Sequence, residues 1–135
     1  MKNSLEESRR WMAQSENDLQ FAKMALKEGF FSQCCFISQQ AAEKAVKAVH
    51  YKQGVRIVIG HSIFQLIGKL LEESLTELIE NAKLLDQFYI TSRYPNGIPG
   101  GSPFEVFTRK QAEEAIQGAE LIYQWAEAQI INQPP

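Results

Sequence analysis

Arg93, Asp86 and Tyr89 are the residues on which chemistry could be built. Over the segment 74–93, with about 100° of rotation per residue, Leu75, Leu78, Ile79, Ala82 and Tyr89 form one inward stripe. Asp86 and Arg93 project onto the same stripe. An ionised carboxylate on an apolar face is costly unless it is paired or hydrogen-bonded. Two arrangements satisfy it. Either a Lys, an Arg or a tyrosine hydroxyl partners Asp86 structurally, or the stripe opens into a polar cleft where Asp86, Tyr89 and Arg93 converge. A second set lies on the segment 31–52, where Gln40, Lys44, Lys47 and Tyr51 share one side and Gln39, Glu43 and His50 lie on its border.

These residue types suit a phosphate-bearing ligand. Arg93 offers a planar fork of donors, and Lys44 or Lys47 a compact charge. Tyr89 or Tyr94 could stack on a base, and Asp86 could orient Arg93. Such a ligand site, with Glu43 and Gln40 at its edge, predicts a cleft between the helices 31–52 and 74–93. The plainer alternative is that Lys44 and Lys47 merely solvate an outer face. No glycine-rich phosphate loop precedes a helix, since Gly97, Gly100 and Gly101 follow one.

Other chemistries find little footing. Cys34 and Cys35 are adjacent and cannot staple a fold, so they read as small core residues of a reducing cytoplasm. His50 and His61 belong to no metal-binding cluster, and no cofactor is implied. His61, just before Ser62, reads as a local hydrogen-bonding residue and His50 as a helix-border residue.

The elements that must position these groups are helices. Ser4…Glu7, Ser62…Gln65, Ser74…Glu77 and Thr108…Gln111 each have capping-box spacing at the start of a stretch with an apolar period near 3.6. They predict five helices, four long and one short, over about 4–28, 31–52, 62–71, 74–93 and 108–131. Gly29 sits where the first must stop and reverse. Nothing reads as a strand pair, so the expected fold is an all-α, up-and-down bundle. The loop from Pro95 to Pro103 is long for a bundle and is a candidate lid or partner-contact loop.

Core stripes follow from the same period. Leu5, Met12, Leu19, Ala22 and Leu26 define the first. Ala112, Ala115, Ile116, Ala119, Ile122, Ala126 and Ile130 define the last. On 31–52 the apolar set is broad and small, including Cys34, Ala41, Ala42, Ala45 and Val49, which marks the central helix. Leu121, Trp125 and Ala128 lie opposite the last core stripe, and Phe21 and Ala25 lie off the first. A second stripe carrying a Trp predicts a helix-to-helix contact with another copy, hence a homodimer.

Composition sets the outer limits. The chain has 135 residues, 44% hydrophobic and 22% charged, with a formal net charge of -2, the balance of one soluble globular domain spanning 1–135. That charge disfavours a diffuse basic surface for duplex nucleic acid. No apolar run reaches the roughly 18–20 residues of a membrane span, and no signal-peptide h-region marks the N-terminus. The expected location is the cytoplasm.

Several separated stretches together resemble a known family. Gln39-Gln40-Ala41-Ala42-Glu43-Lys44-Ala45-Val46-Lys47-Ala48 is similar to the second-helix signature of HEPN domains, the "higher eukaryotes and prokaryotes nucleotide-binding" family. Trp11, Asp18-Leu19 and Ala22 extend the match upstream. His61-Ser62-Ile63, Asp86, Tyr89 and Thr91-Ser92-Arg93-Tyr94-Pro95 extend it downstream, followed by an alanine-periodic last helix. The resemblance covers roughly residues 8–130. It implies a dimeric helical bundle, similar to nucleotidyltransferase substrate-binding domains. It also implies a prokaryotic setting, often beside a minimal nucleotidyltransferase in a toxin–antitoxin-like pair. Docking such a partner would make Tyr94 a candidate modification site. Many members are metal-independent endoribonucleases whose motif is an Arg followed four to six residues later by a His. The His moves the proton of a ribose 2′-OH while the Arg holds the scissile phosphate. Arg93 occupies the arginine position, but Ile98, Pro99 and Gly100 stand where the His should be. The departure favours a noncatalytic module that binds a nucleotide, RNA or a nucleotidyltransferase. The alternative is an endoribonuclease with a displaced base.

Overall fold

The structure is a computed structural model that describes residues 3–132. Every regular element among them is helical: α1 (Ser4–Lys27), α2 (Phe31–Lys52), α3 (Ile63–Gly68), α4 (Thr76–Asp86), α5 (Phe88–Thr91), α6 (Pro103–Val106) and α7 (Arg109–Asn132), with a 3-10 turn over Pro95–Gly97. The all-α expectation holds. Three long helices carry the bundle, and α3 to α6 are built against them.

α1 reverses into α2 through a glycine-based C-terminal cap. Gly29 has φ of +85°, its N–H donates to the Leu26 carbonyl at 3.2 Å, and the Phe30 N–H reaches the Ala25 carbonyl at 2.8 Å. Only glycine adopts that backbone without a steric cost, and the two bonds satisfy carbonyls the helix end would leave unpaired. α2 is the central helix. Ala41, Ala42, Ala45, Val46 and Ala48 are fully buried, and the small side chains let α1 and α7 come close. The Ser15 hydroxyl donates to the Ala41 carbonyl at 2.6 Å and pins α1 to α2. One apolar cluster runs from Leu19 and Cys35 through Ile63, Leu85 and Ile122. A second joins Met12, Val49, Ala126 and Ile130. Cys34 and Cys35 are free thiols, both fully buried. Burial pushes the Cys34 thiol up to about 11 and that of Cys35 to about 12.

Several boundaries differ from the sequence expectation. Asn3, not Ser4, caps α1, its side chain accepting from the Leu5 and Glu6 amides. Thr108 and Gln111 form the full reciprocal box at the start of α7. Ser62 accepts from the Gln65 amide at 3.1 Å. Ser74 caps nothing, because α4 begins two residues later after Leu75, which supplies no side-chain cap bond. The expected helix 74–93 is broken at Gln87, whose N–H bonds the Leu84 carbonyl, three residues back. Beyond the break, Thr91 and Ser92 turn their hydroxyls onto the Gln87 and Phe88 carbonyls, a local competition that bends and ends helices. The proline-rich loop holds α6, where Glu105 accepts from the Ser102 amide at 3.1 Å.

The second stripe on the last helix is not a free face. Leu121, Trp125 and Ala128 are half-buried, and Leu121 and Trp125 pack partly on the intramolecular core. Ala25 is likewise buried, whereas Phe21 remains 54% exposed.

Candidate phosphate-binding site

The residues expected to converge separate into three groups, each with a different physical task. Asp86 is a helix cap. Its carboxylate accepts from the Ser62 hydroxyl at 2.7 Å, the Ile63 amide at 2.7 Å and the Phe64 amide at 3.1 Å. It closes the N-terminus of α3 from the end of α4, where the helix dipole favours an anion. Among the described residues its partners are thus a hydroxyl and two backbone amides, not a cationic side chain.

Lys44 and Lys47 form the second group. Lys44 pairs with Asp18 on α1, and Gln14 donates to the same carboxylate at 3.1 Å. Lys47 lies 3.1 Å from Glu43, both side chains nearly sealed from water. The Lys47 ammonium also sits 5.9 Å from the centroid of the Trp11 ring. Neither lysine is a solvated surface charge. Gln40 donates to the Gln39 side-chain oxygen at 2.7 Å, and fully buried Gln39 donates to the His61 backbone carbonyl at 3.0 Å. A groove of about 620 Å³ is lined by Glu7, Arg10, Trp11 and Lys44. Arg10 is paired with Glu7 at 3.0 Å, as Lys44 is with Asp18.

Arg93 heads the third group. The back-bonded end of α5 projects it, with its Nε donating to the Tyr89 carbonyl at 2.8 Å. Its guanidinium carbon lies 4.3 Å from the Phe36 ring centroid, 4.6 Å from that of Tyr89 and 5.0 Å from that of Tyr94. The rings offer their negative faces to the cation. Among the described residues no carboxylate pairs with Arg93. It lines a cleft of about 470 Å³ with Phe21, Phe36, Pro95 and Phe104, and is the one ionisable side chain of that lining among the described residues. The cleft therefore opens beside the N-terminal half of α2, among α1, α6 and the turn after α5. The sequence pattern predicts it between the helices 31–52 and 74–93; Ser32, Phe36, Ser92 and Arg93 do come from those two segments, and α1 and α6 complete the wall.

His61 joins this group unexpectedly. Its imidazole stacks on Tyr89 with centroids 4.9 Å apart and planes 17° apart. Its Nδ1 lies 3.3 and 3.4 Å from the two Glu43 oxygens. The imidazole is 59% exposed while Glu43 is 6% exposed, so a buried carboxylate backs an accessible imidazole. The local bond expected beside Ser62 does not form in the side chain. Glu43, His61, Tyr89 and Arg93 make one continuous run of contacts. No spacing in the chain announces it, because its members come from α2, the segment before α3, and α5 with the turn after it. His50 instead bonds the Leu66 carbonyl at 2.9 Å and ties α2 to α3. Among the described residues no group of three or more His, Cys, Asp or Glu could hold a metal ion, and no helix is long and apolar enough to cross a membrane.

The fold and these residues place the chain among known proteins. The HEPN domain family model matches residues 8–129, and the chain belongs to that family. It is 32% identical over 122 residues to MJ1304 of Methanocaldococcus jannaschii, a protein named as a suspected toxin, covering 83% of this chain and 80% of the relative. Among solved structures, TT1696 of Thermus thermophilus superposes with a TM-score of 0.86 at 38% identity, covering 90% of this chain and 97% of that one. ST0689, an archaeal HEPN homologue, gives 0.79 at 38% identity over 96% and 99%. The HEPN domain protein TM0613 of Thermotoga maritima gives 0.69 at 36% identity over 87% and 94%.

Proposed function

We propose that this chain is the HEPN half of a toxin–antitoxin-like pair and binds a nucleotide or other phosphate-bearing ligand through Arg93. The carrying observation is a guanidinium held over three aromatic rings, at the wall of a cleft, with no carboxylate of the described residues against it. A cation fixed in orientation but not neutralised is arranged for an incoming anion. The relative named as a suspected toxin supports the paired setting, in which the partner is a minimal nucleotidyltransferase. Calorimetric titration with AMP and ATP tests the ligand. Binding that falls at least tenfold in Arg93→Ala is the expected result, and no binding by the wild type at millimolar ligand removes it. Co-purification with the product of a neighbouring nucleotidyltransferase gene tests the pairing.

A second reading, RNA cleavage with a displaced base, is favoured by His61. Its imidazole is backed by Glu43 and stacked on the same tyrosine that Arg93 overlies. His61 would take the proton of a 2′-OH as that oxygen attacks phosphorus. The bond to the 5′-oxygen breaks and that oxygen takes a proton from water, leaving a 2′,3′-cyclic phosphate and a 5′-hydroxyl end, while Arg93 steadies the phosphoryl oxygens. Incubation with single-stranded RNA decides it. Cleavage lost in both His61→Ala and Arg93→Ala supports it, and intact RNA eliminates it.

A further inference from the structure

We infer that the cleft beside Arg93 is a base compartment and that its occupant is a nucleotide with a single phosphate, its ring among Phe36, Phe21 and Phe104 and its phosphate on Arg93. The inference rests on the phosphate role of Arg93 proposed above and adds the other half of the ligand. Three observations carry it. The first is charge: among the described residues the lining holds one cation and no acid, although the chain as a whole has a net charge of -2. One cation matches one phosphate. Lys44 and Lys47, which could have met further phosphates, are locked onto Asp18 and Glu43 elsewhere.

The second is the wall chemistry. Phe36 lies directly under the guanidinium, while Phe21 and Phe104 are 54% and 70% exposed. Phe21 comes from α1 and Phe104 from α6. Uncovered aromatic faces beside a fixed cation suit a planar ring bearing an anion, since base–aromatic stacking tolerates any base. The third is size and polarity. About 470 Å³ lies within the range of small-ligand sites. The Ser32 hydroxyl donates to the Gln33 side-chain oxygen at 3.0 Å, which leaves the Gln33 amide hydrogens to meet a base edge.

The test compares ligands that differ by one part, by calorimetry on the intact chain. AMP should bind about tenfold or more tightly than ribose 5-phosphate, and ATP no more tightly than AMP. Phe104→Ala, a change at an exposed ring, should weaken AMP about tenfold and leave ribose 5-phosphate unchanged. Phe21→Ala serves as a second such variant. Equal affinity for AMP and ribose 5-phosphate, with both Phe variants silent and Arg93→Ala still damaging, overturns the base compartment and leaves the phosphate role standing. ATP binding ten times more tightly than AMP overturns the single-phosphate assignment. Failure of every phosphate ligand to bind, or adenosine matching AMP, overturns the role of Arg93 itself.

Discussion

Asp86 and Arg93 share a stripe in sequence but have different tasks in space. Asp86 holds three donors at the start of α3, two of them backbone amides. Truncation would leave those amides without an acceptor. We expect Asp86→Ala to cost about 2–3 kcal/mol, the scale of a charged cap with more than one bond. It would be read as a lower urea midpoint at unchanged slope. Asp86→Asn keeps one acceptor and should lose less. The sequence pattern requires partners for this carboxylate, which the structure supplies, and makes Arg93 a candidate for a ligand. Sequence alone reads His61 as a local residue beside Ser62, because a stacking partner on α5 and a carboxylate on α2 are long-range facts with no periodic signal.

At the scale of elements, the boundaries that sequence captured are those set by short-range chemistry. The Gly29 reversal and the Thr108–Gln111 box depend on residues within a few positions of one another. The break at Gln87 escaped because no Gly or Pro marks it, and the hydroxyl back-bonds of Thr91 and Ser92 do not alter the apolar period. Packing between α4 and α7 offers a sharper test. A Cβ at Gly118 would stand 2.7 Å from the Asn81 side-chain oxygen, and Asn81 is tethered to the Glu77 carbonyl at 2.9 Å. Gly118→Ala should therefore destabilise the protein by about 1 kcal/mol despite better helix propensity. Combined with Asn81→Ala the same change should stabilise, because up to ~1 kcal/mol of propensity is then unopposed. Thermal unfolding of the two single variants and the double variant measures the sign change.

The whole molecule is legible as an all-α bundle with a central helix of small residues, since α2 buries its alanines as the pattern foretold. Its cleft is legible only in the walls from 31–52 and 74–93, because α1 and α6 join them only in the folded chain. The core also sets a global pH response. Burial raises the Cys34 and Cys35 thiols from an ordinary 9.0 to about 11 and about 12. Below pH 9 both states keep their protons and the pair contributes no pH dependence. Above it the unfolded chain releases protons that the native core retains, so stability should fall as pH climbs from about 9 to about 11. Urea unfolding at stepped pH should show that decline, and Cys34→Ala/Cys35→Ala should flatten it. Loss of the slope only in the double variant identifies the thiols as its source.

Those two sulfurs also equip the native protein with a gauge of its own opening. With both sealed on α2 and packed towards α7, a disulfide-exchange reagent has nothing to attack until the interior is breached. The rate of colour release from such a reagent then counts excursions of the central helix, with no label or engineered probe. Because ligand seated against Phe36 would hold that helix in place from outside, slower release in its presence would report occupancy from the far side of the wall.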